Sequence, residues 1–530
     1  MQLTIDGFFK LSTQKYSELI SLNFWDEDNG ADLDFSLLTD EEFIRLCDLL
    51  RSCQRLSSLE LCENNLGNLS IEKIERLANC IGSCLNLKML DLSGNNLHVL
   101  DLGSLTTLAK CLSNSITLNT IILDSNKLGN VGTAKLEALF DNLNVINLTE
   151  LSLAWNKLGS NNSLKIINSK LVIYPSLKKL NLSHNELSNN YQELAMLFAN
   201  LNQITSLNLS SNNLGEINEK VDYLFNDHNL EVLDLSNNEL GNSIEVFNFM
   251  MQQMKSIKEL NLSCNQLNLL GANLNFSNCT FLEILKLSDN DFSLIKPQNF
   301  NNLIRYLATS NTLKELELDN TNLQSLMAYD LNNLFDGLIA NHNLIALNLA
   351  ENNLSLFQSL LKLRDLLKQN KLINLGLNDT SLGHLNLNNY QYLIDGLVAS
   401  SNLKGLNISY NDLQKLNVTQ FFKLSQVLKN CCNLEELNLG DQDLAADLNT
   451  ILPLLFNTLA KMPNLTKLNV SCGWTGYLGT ESNSTTLSNL IQMTTSLKSL
   501  KLDYGYLDEV AAIKINQILS TKPSIKLKFN

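Results

Sequence analysis

The stretch that decides the fold is IKELNLSCNQL, residues 257–267, because nearly the same residues return throughout the chain. The pattern L-x-x-L-x-L-x-x-N-x-L occurs about sixteen times, with some conservative variation. The copies start at Leu56, Leu87, Leu118, Leu148, Leu177, Ile204, Leu230, Ile257, Leu282, Leu313, Leu344, Leu372, Leu403, Leu434, Leu465 and Leu497. So many tandem copies cannot arise by chance, and they predict a solenoid of stacked repeats.

The alternating leucines of one copy predict a short strand. In the copy that starts at Leu177, Leu180 and Leu182 point to the same side of the strand. A fully buried leucine contributes roughly 1.5–3 kcal/mol, but a single repeat cannot bury this face alone. Neighbouring repeats therefore stack, and their strands are expected to form a parallel sheet.

The asparagine that follows the strand is expected to bond the backbone of adjacent turns through its side-chain amide. Thr321, Thr380 and Gln442 take this position in three copies, where we interpret them as conservative replacements. Outer helices are predicted from apolar residues at i, i+3, i+4 and i+7, as at Leu105, Leu108, Ala109 and Leu112.

The chain resembles the leucine-rich repeat family, in its ribonuclease-inhibitor-like subclass, over nearly its whole length. The resemblance implies an α/β fold, a right-handed solenoid or horseshoe with a parallel concave sheet and a mostly helical convex side. Residues 1–55 are predicted to form an N-terminal cap, with a degenerate repeat from Leu19. Residues 56–530 are predicted to form the solenoid of about sixteen repeats, including a C-terminal cap.

Composition restricts the partners that the chain can bind. The net charge is −15 and the pI about 4.9, so we expect no nucleic acid and favour a basic protein partner. The N-terminus has no signal-peptide pattern, no apolar run is long enough for membrane insertion, and the 11 cysteines are scattered. These features predict a monomer with reduced thiols in the cytoplasm, or one secreted into a host cell without a cleaved signal peptide.

Outward-facing positions of the predicted sheet are rich in carboxylates. Glu315, Glu317 and Asp319 share one strand, flanked by Asp289 and Glu351 in the neighbouring repeats, and Glu259 lies two repeats before that strand. Carboxylates crowded on one face are tolerated where a cationic partner binds, which makes these residues candidates for partner binding. The alternative is that they form a solvated face without a partner.

Aromatic residues provide a second set of candidates. Trp155 and Tyr410 lie at the rim, where most copies have a hydrophilic residue. Trp474 and Tyr477 lie in a glycine-rich break of the pattern, and tryptophan and tyrosine dominate binding hot spots. Trp474 could instead plug the end of the core.

The C-terminal segment resembles the C-terminal cap of ribonuclease inhibitors. In that family an Asp and a Tyr on this strand contact the nuclease, and Asp503 and Tyr504 match them, with Tyr506 close by. Those inhibitors are very cysteine-rich and alternate two repeat lengths, and this chain does neither. The cap is thus similar in architecture, without implying the same target.

Signatures of catalysis are scarce. The five histidines lie in different repeats without metal-ligand spacing, and no nucleophile-elbow, zinc-protease or phosphate-loop motif occurs. We therefore predict no cofactor, no metal and no enzymatic activity, and we interpret the chain as a scaffold for protein–protein interaction. A GTPase-activating or enzyme-inhibiting role is the alternative, because one class of activators uses this subclass of repeats.

The composition, rich in asparagine and lysine and poor in arginine, suggests an AT-rich genome such as that of a bacterium. A repeat of eukaryotic style in such a chain resembles the leucine-rich-repeat effectors that intracellular bacteria deliver into host cells. That resemblance implies an action on host proteins.

Overall fold

The computed structural model describes residues 5–11, 13–24, 34–143, 145–200, 202–217, 229–243, 247, 251, 254–269, 274–442, 448–471, 481–502 and 509–529. These residues belong to two compact units, unit 1 (Met1–Asn261) and unit 2 (Leu262–Asn530). In most repeats of either unit, a three-residue strand is followed by a short 3-10 turn and then by an α-helix.

In unit 1 the described residues form parallel strands that pair in register with their neighbours, so that Leu59 lies opposite Leu90. The strands are β1 Ser21–Asn23, β2 Ser58–Glu60, β3 Met89–Asp91, β4 Thr120–Ile122, β5 Glu150–Ser152, β6 Lys179–Asn181, β7 Ser206–Asn208, β8 Val232–Asp234 and β9 Glu259–Asn261. The helices are α1 Ile5–Phe9, α2 Thr13–Glu18, α3 Asp40–Arg51, α4 Ile71–Gly82, α5 Leu102–Ser113, α6 Thr133–Asn142, α7 Ser163–Leu171 and α8 Tyr191–Asn200.

Unit 2 repeats the arrangement, with Leu316 opposite Leu347 in its own parallel ladder. Its described strands are β10 Ile284–Lys286, β11 Glu315–Glu317, β12 Ala346–Asn348, β13 Asn374–Gly376, β14 Gly405–Asn407, β15 Glu436–Asn438, β16 Lys467–Asn469, β17 Ser499–Leu502 and β18 Lys526–Phe529. Its described helices are α9 Pro297–Thr309, α10 Ala328–Ala340, α11 Leu361–Lys368, α12 Leu387–Ala399, α13 Val418–Asn430, α14 Leu448–Leu459, α15 Glu481–Met493 and α16 Glu509–Thr521.

The core lies between the sheet and the helices, as the leucine pattern predicts. Leu316 at the centre of β11 and Leu318 just after it are fully buried, whereas Glu315 and Glu317 reach the surface. The predicted apolar side of α5 is also buried, including Leu105 and Leu108. The fold is an α/β solenoid with a parallel sheet and outer helices, which confirms the predicted class.

The buried asparagine of each repeat ties successive turns together. The side-chain amide of Asn126 donates to the carbonyl oxygens of Leu92 and Leu123 at 2.9 and 3.1 Å. Its Oδ1 accepts hydrogen bonds from the backbone N–H groups of Asn95 and Leu97, both at 3.1 Å. Because the amide of Asn126 is fully buried, these bonds satisfy backbone groups that water cannot reach.

Replacement of this asparagine by threonine changes the hydrogen bonds between successive turns. Gln442 preserves the pattern, because its Oε1 accepts from the N–H groups of Asn411 and Leu413. The shorter Thr321 does not, and the N–H of Phe292 donates instead to the backbone oxygen of Thr321 at 2.9 Å. The preceding turn begins in an extended conformation at Asp291, as the turn at Asp34 does, rather than in the left-handed conformation of most other repeats. The replacement by threonine is therefore not conservative.

Candidate functional site: the open face of unit 2

The candidate site lies on the side of the unit 2 sheet that the helices leave uncovered, called here the open face. Glu315 and Glu317 lie on β11 with part-exposed side chains, and Asp319 follows the strand. Asp289 and Glu351 occupy the loops after β10 and β12. Glu259, predicted with this set, lies on β9 and belongs to unit 1.

Four carboxylates at the edge of the open face influence one another, and we call them the rim cluster: Asp289, Asp319, Glu351 and Asp379. Partial burial raises the pKa of Glu351, and the negative charges of Asp379, Asp319 and Asp289 raise it further. Like charges close enough to shift a pKa disfavour the ionised form. The structure thus brings together three of the predicted acids and adds Asp379.

Two members of the rim cluster are held by hydrogen bonds. Oδ1 of Asp289 accepts from the Asn320 amide at 2.7 Å, and Oδ1 of Asp319 accepts from the Ser288 hydroxyl at 2.6 Å and from the Asn348 amide at 2.9 Å. The side chains of Glu351 and Asp379 have no hydrogen-bond or ion-pair partner within the described part of the chain. Their charge is therefore available to a ligand.

Lysines on the open face neutralise some of the acidic strand positions. Nζ of Lys286 lies 4.0 Å from Oε1 of Glu317, and Nζ of Lys467 lies 2.5 Å from Oε1 of Glu436. The in-register ladder causes both pairings, because Lys286 lies opposite Glu317 and Lys467 opposite Glu436. The side chain of Glu315 makes no such contact among the described residues, so Glu315 and Glu317 are not equivalent.

The residue three positions after the end of several strands has a strained backbone conformation. Asp289, Glu351 and Asp379 have φ values of 57°, 56° and 51°, in the left-handed region. That region costs an ordinary residue roughly 1–2 kcal/mol, and Asn and Asp enter it most readily. Tyr410 occupies the same position with φ of 54° and is 57% exposed, so a large aromatic ring is held at the rim at an energetic cost.

In unit 1 the equivalent position carries a stacked pair of rings. Trp155 is 57% exposed, and its ring lies 3.8 Å from that of His184, with an angle of 11° between the planes. Both residues have left-handed backbones, with φ values of 57° and 55°. Sequence reasoning predicted Trp155 and missed His184, although the two occupy the same position in consecutive repeats.

A groove across the open face was also missed. It has a volume of about 470 Å³ and is lined by residues of β11 to β16. Its floor is formed by Ala346, Gly376 and Gly405, which have small or no side chains where other repeats have larger ones. The sequence indicates this groove only through small residues at outward positions in three consecutive repeats.

Five predicted residues, Trp474, Tyr477, Asp503, Tyr504 and Tyr506, lie outside the described residues. Within the described ranges, no group of three or more His, Cys, Asp or Glu side chains could hold a metal ion. No helix in the described portion is both long and apolar enough to cross a bilayer.

Comparison with known families supports the repeat assignment. The family model for "Leucine Rich repeat" matches residues 175–190, 226–244 and 253–272. These matches coincide with the copies at Leu177, Leu230 and Ile257, within the strand–helix architecture described above. The chain is a leucine-rich repeat protein. This fold supports a role as a protein-interaction scaffold.

Two solved structures illustrate how far structural similarity extends. The leucine-rich repeat-containing protein LegL7 from Legionella pneumophila is 20% identical, over 66% of this chain and 90% of that one, with a TM-score of 0.39. TLR13, in its complex with ssRNA13, is 19% identical over 85% of this chain and 62% of that one, with a TM-score of 0.40. Similarity at this level carries no information about binding partners. A search of curated proteins gives no match.

Proposed function

We propose that the protein is a non-enzymatic scaffold that binds a basic protein through the open face of unit 2. The observation that carries this proposal is the set of acidic side chains without partners, Glu315, Glu351 and Asp379. Glu351 and Asp379 repel within the rim cluster in the free protein, and a lysine or arginine from a partner would remove that repulsion. Such complementarity increases the rate of association and disfavours acidic competitors.

The charge of the whole chain supports the same partner class. A net charge of −15 attracts basic proteins over distances comparable to the Debye length, about 8 Å at physiological ionic strength. Binding by this route is expected to weaken as salt is added. The prediction of a monomer fits this proposal, since copies of equal charge repel.

The other predicted contacts extend this proposal. Trp155 and Tyr410 are exposed and held in strained conformations, as expected of anchors for a partner. Glu259 on unit 1, and the C-terminal patch of Asp503 with Trp474, Tyr477, Tyr504 and Tyr506, stay predictions.

The origin of the chain as an effector delivered into host cells also stays a prediction. It rests on the asparagine-rich, arginine-poor composition and on the style of the repeat.

A comparative capture experiment tests the proposal. Immobilised protein and the variant Glu315→Gln/Glu351→Gln/Asp379→Asn are exposed to a eukaryotic cell extract at low and at high salt. We expect the wild type to retain basic proteins at low salt and the variant to lose them. Gln and Asn preserve the size of the side chains, so the loss would report on charge.

A matched control removes three carboxylates from unit 1, through Glu60→Gln, Glu63→Gln and Asp91→Asn. This control variant has the same net charge as the test variant. If both variants lose the same proteins equally, general electrostatic attraction explains the binding and the open face of unit 2 is not the site.

A further inference from the structure

The groove on the open face has the dimensions of a short extended peptide. It crosses six neighbouring strands, from β11 to β16. With about 4.8 Å between strands, it is roughly 24 Å long. An extended chain advances about 3.3 Å per residue, so the groove accommodates about seven residues.

The floor of the groove allows a backbone to approach closely. Gly376 and Gly405 occupy outward-facing positions on adjacent strands, and Ala346 precedes them on β12. A Cβ atom built on Gly405 would lie 2.4 Å from Oδ1 of Asn374, and one on Gly376 would lie 2.2 Å from Oδ1 of Asn348. Side chains at these two glycines would therefore push the asparagine amides into the groove.

One amide in the floor is available to a ligand. The exposed side chain of Asn374 has no hydrogen-bond partner among the described residues, whereas the amide of Asn348 is bound to Asp319. A free carboxamide offers both a donor and an acceptor. These groups are complementary to the C=O and N–H of an extended backbone, which has no internal partners.

The two ends of the groove differ in charge. Glu315, which has no hydrogen-bond or ion-pair partner among the described residues, lies at the β11 end of the groove. Beside it, Glu317 has its Oε1 atom 4.0 Å from Nζ of Lys286. At the β16 end, Lys467 and Glu436 form an ion pair of 2.5 Å and neutralise each other. The free negative charge of the groove is therefore concentrated at one end.

We propose that this groove binds an extended segment of about seven residues from the partner protein, with a lysine or arginine at Glu315 and its backbone bonded to Asn374 over Gly405. The inference rests on the proposed function, because it takes the occupant to be part of a basic protein. It goes further by giving the length of the bound segment, the place of its basic residue and the residues of the groove that admit it.

Peptide selection tests this inference without knowledge of the natural partner. A library of random seven-residue peptides displayed on phage is selected on the full-length protein at low salt. The best peptide is then synthesised with a fluorescent label, and its dissociation constant is measured by fluorescence anisotropy. We expect the selected peptides to share one basic residue near one fixed end.

Three variants distinguish the contribution of the groove's shape to peptide binding from the contribution of its charge. Gly405→Val fills the floor without changing charge, and valine favours a strand, so the fold should be retained. We expect it to weaken the peptide by about tenfold or more, because the displaced amide and the new side chain exclude the backbone. Glu315→Gln should weaken binding roughly two- to fivefold, as for an exposed ion pair. The control Glu60→Gln, on unit 1, should have no effect.

The outcomes distinguish the two proposals. If Glu315→Gln weakens the peptide and Gly405→Val does not, the groove is not the site, but the acidic face still binds basic ligands. If the selected peptides lack basic residues and bind equally at all salt concentrations, the proposed function is wrong. If no peptide is enriched, the groove does not bind extended segments. If Gly405→Val loses circular dichroism signal, and so does not fold, Asn374→Ala replaces it in this test. Asn374→Ala should weaken peptide binding without filling the groove.

Discussion

Removing one buried asparagine should reveal how much the inter-repeat hydrogen bonds stabilise the solenoid. In Asn126→Ala, the N–H groups of Asn95 and Leu97 lose the oxygen that accepts both of them at 3.1 Å. The carbonyl oxygens of Leu92 and Leu123 keep a donor, because the amides of Asn95 and Asn156 also reach them. The destabilisation is therefore concentrated on two buried donors.

The expected magnitude follows from those two groups. A buried polar group without a partner costs about 1–3 kcal/mol, so Asn126→Ala should destabilise unit 1 by about 2–6 kcal/mol. Thr321→Ala is the matched control, since no backbone N–H of the preceding turn depends on its hydroxyl group. The bond from Phe292 to the backbone oxygen of Thr321 survives that substitution, so the expected loss is at most about 1.5 kcal/mol.

Native-state hydrogen exchange measures this loss locally, which suits a repeat protein whose unfolding need not be two-state. The amides of residues 95–97 should exchange much faster in Asn126→Ala than in the wild type. Equal losses in Asn126→Ala and Thr321→Ala would refute the reasoning, because the acceptor role of the asparagine would then contribute nothing.

Four further substitutions test other parts of the structure. Gly129→Ala should destabilise the protein by more than about 2 kcal/mol in urea denaturation, because the added Cβ would lie 2.0 Å from the backbone oxygen of Lys157. Gly103→Ala in α5 should instead stabilise the protein by up to about 1 kcal/mol. Glu351→Gln should raise the free energy of unfolding at neutral pH. Because the pKa of Glu351 is raised in the folded state, the wild type loses stability as pH rises through that pKa. The difference in stability between Glu351→Gln and the wild type should therefore vanish in acid, where the carboxyl group is neutral in both the folded and the unfolded state. Trp155→Asn should change the free energy of unfolding by less than about 1 kcal/mol, because asparagine adopts the left-handed backbone readily. The same substitution should weaken the binding of a partner that uses the stacked rings of Trp155 and His184.

The strands and helices were predictable because leucine periodicity determines which side of each element is buried. Leu316 and Leu318 follow that rule, and so does the buried side of α5. The effect of threonine was not predictable from residue type, because it depends on reach. The side chain of Thr321 accepts no hydrogen bond from the preceding turn, where the N–H of Phe292 donates to the backbone oxygen of Thr321 instead.

The candidate site was only partly predictable. The acids were visible in the sequence, and the in-register pairing of Lys286 with Glu317 could have been inferred from their equal position in consecutive repeats. The pKa of Glu351 depends on burial and on distances between repeats, which no pattern supplies. The groove is defined by missing side chains at Gly376 and Gly405, and sequence reasoning that looks for functional groups passes over such positions.

The central claim is that the free carboxylates on the open face of unit 2 bind a basic protein. The most direct measurement is the dissociation constant of the captured partner against salt concentration, for the wild type and for Glu315→Gln/Glu351→Gln/Asp379→Asn. We predict tight, salt-sensitive binding by the wild type, and weaker binding with a shallower salt dependence by the variant. Identical dissociation constants and identical salt dependence for the two proteins would contradict the claim.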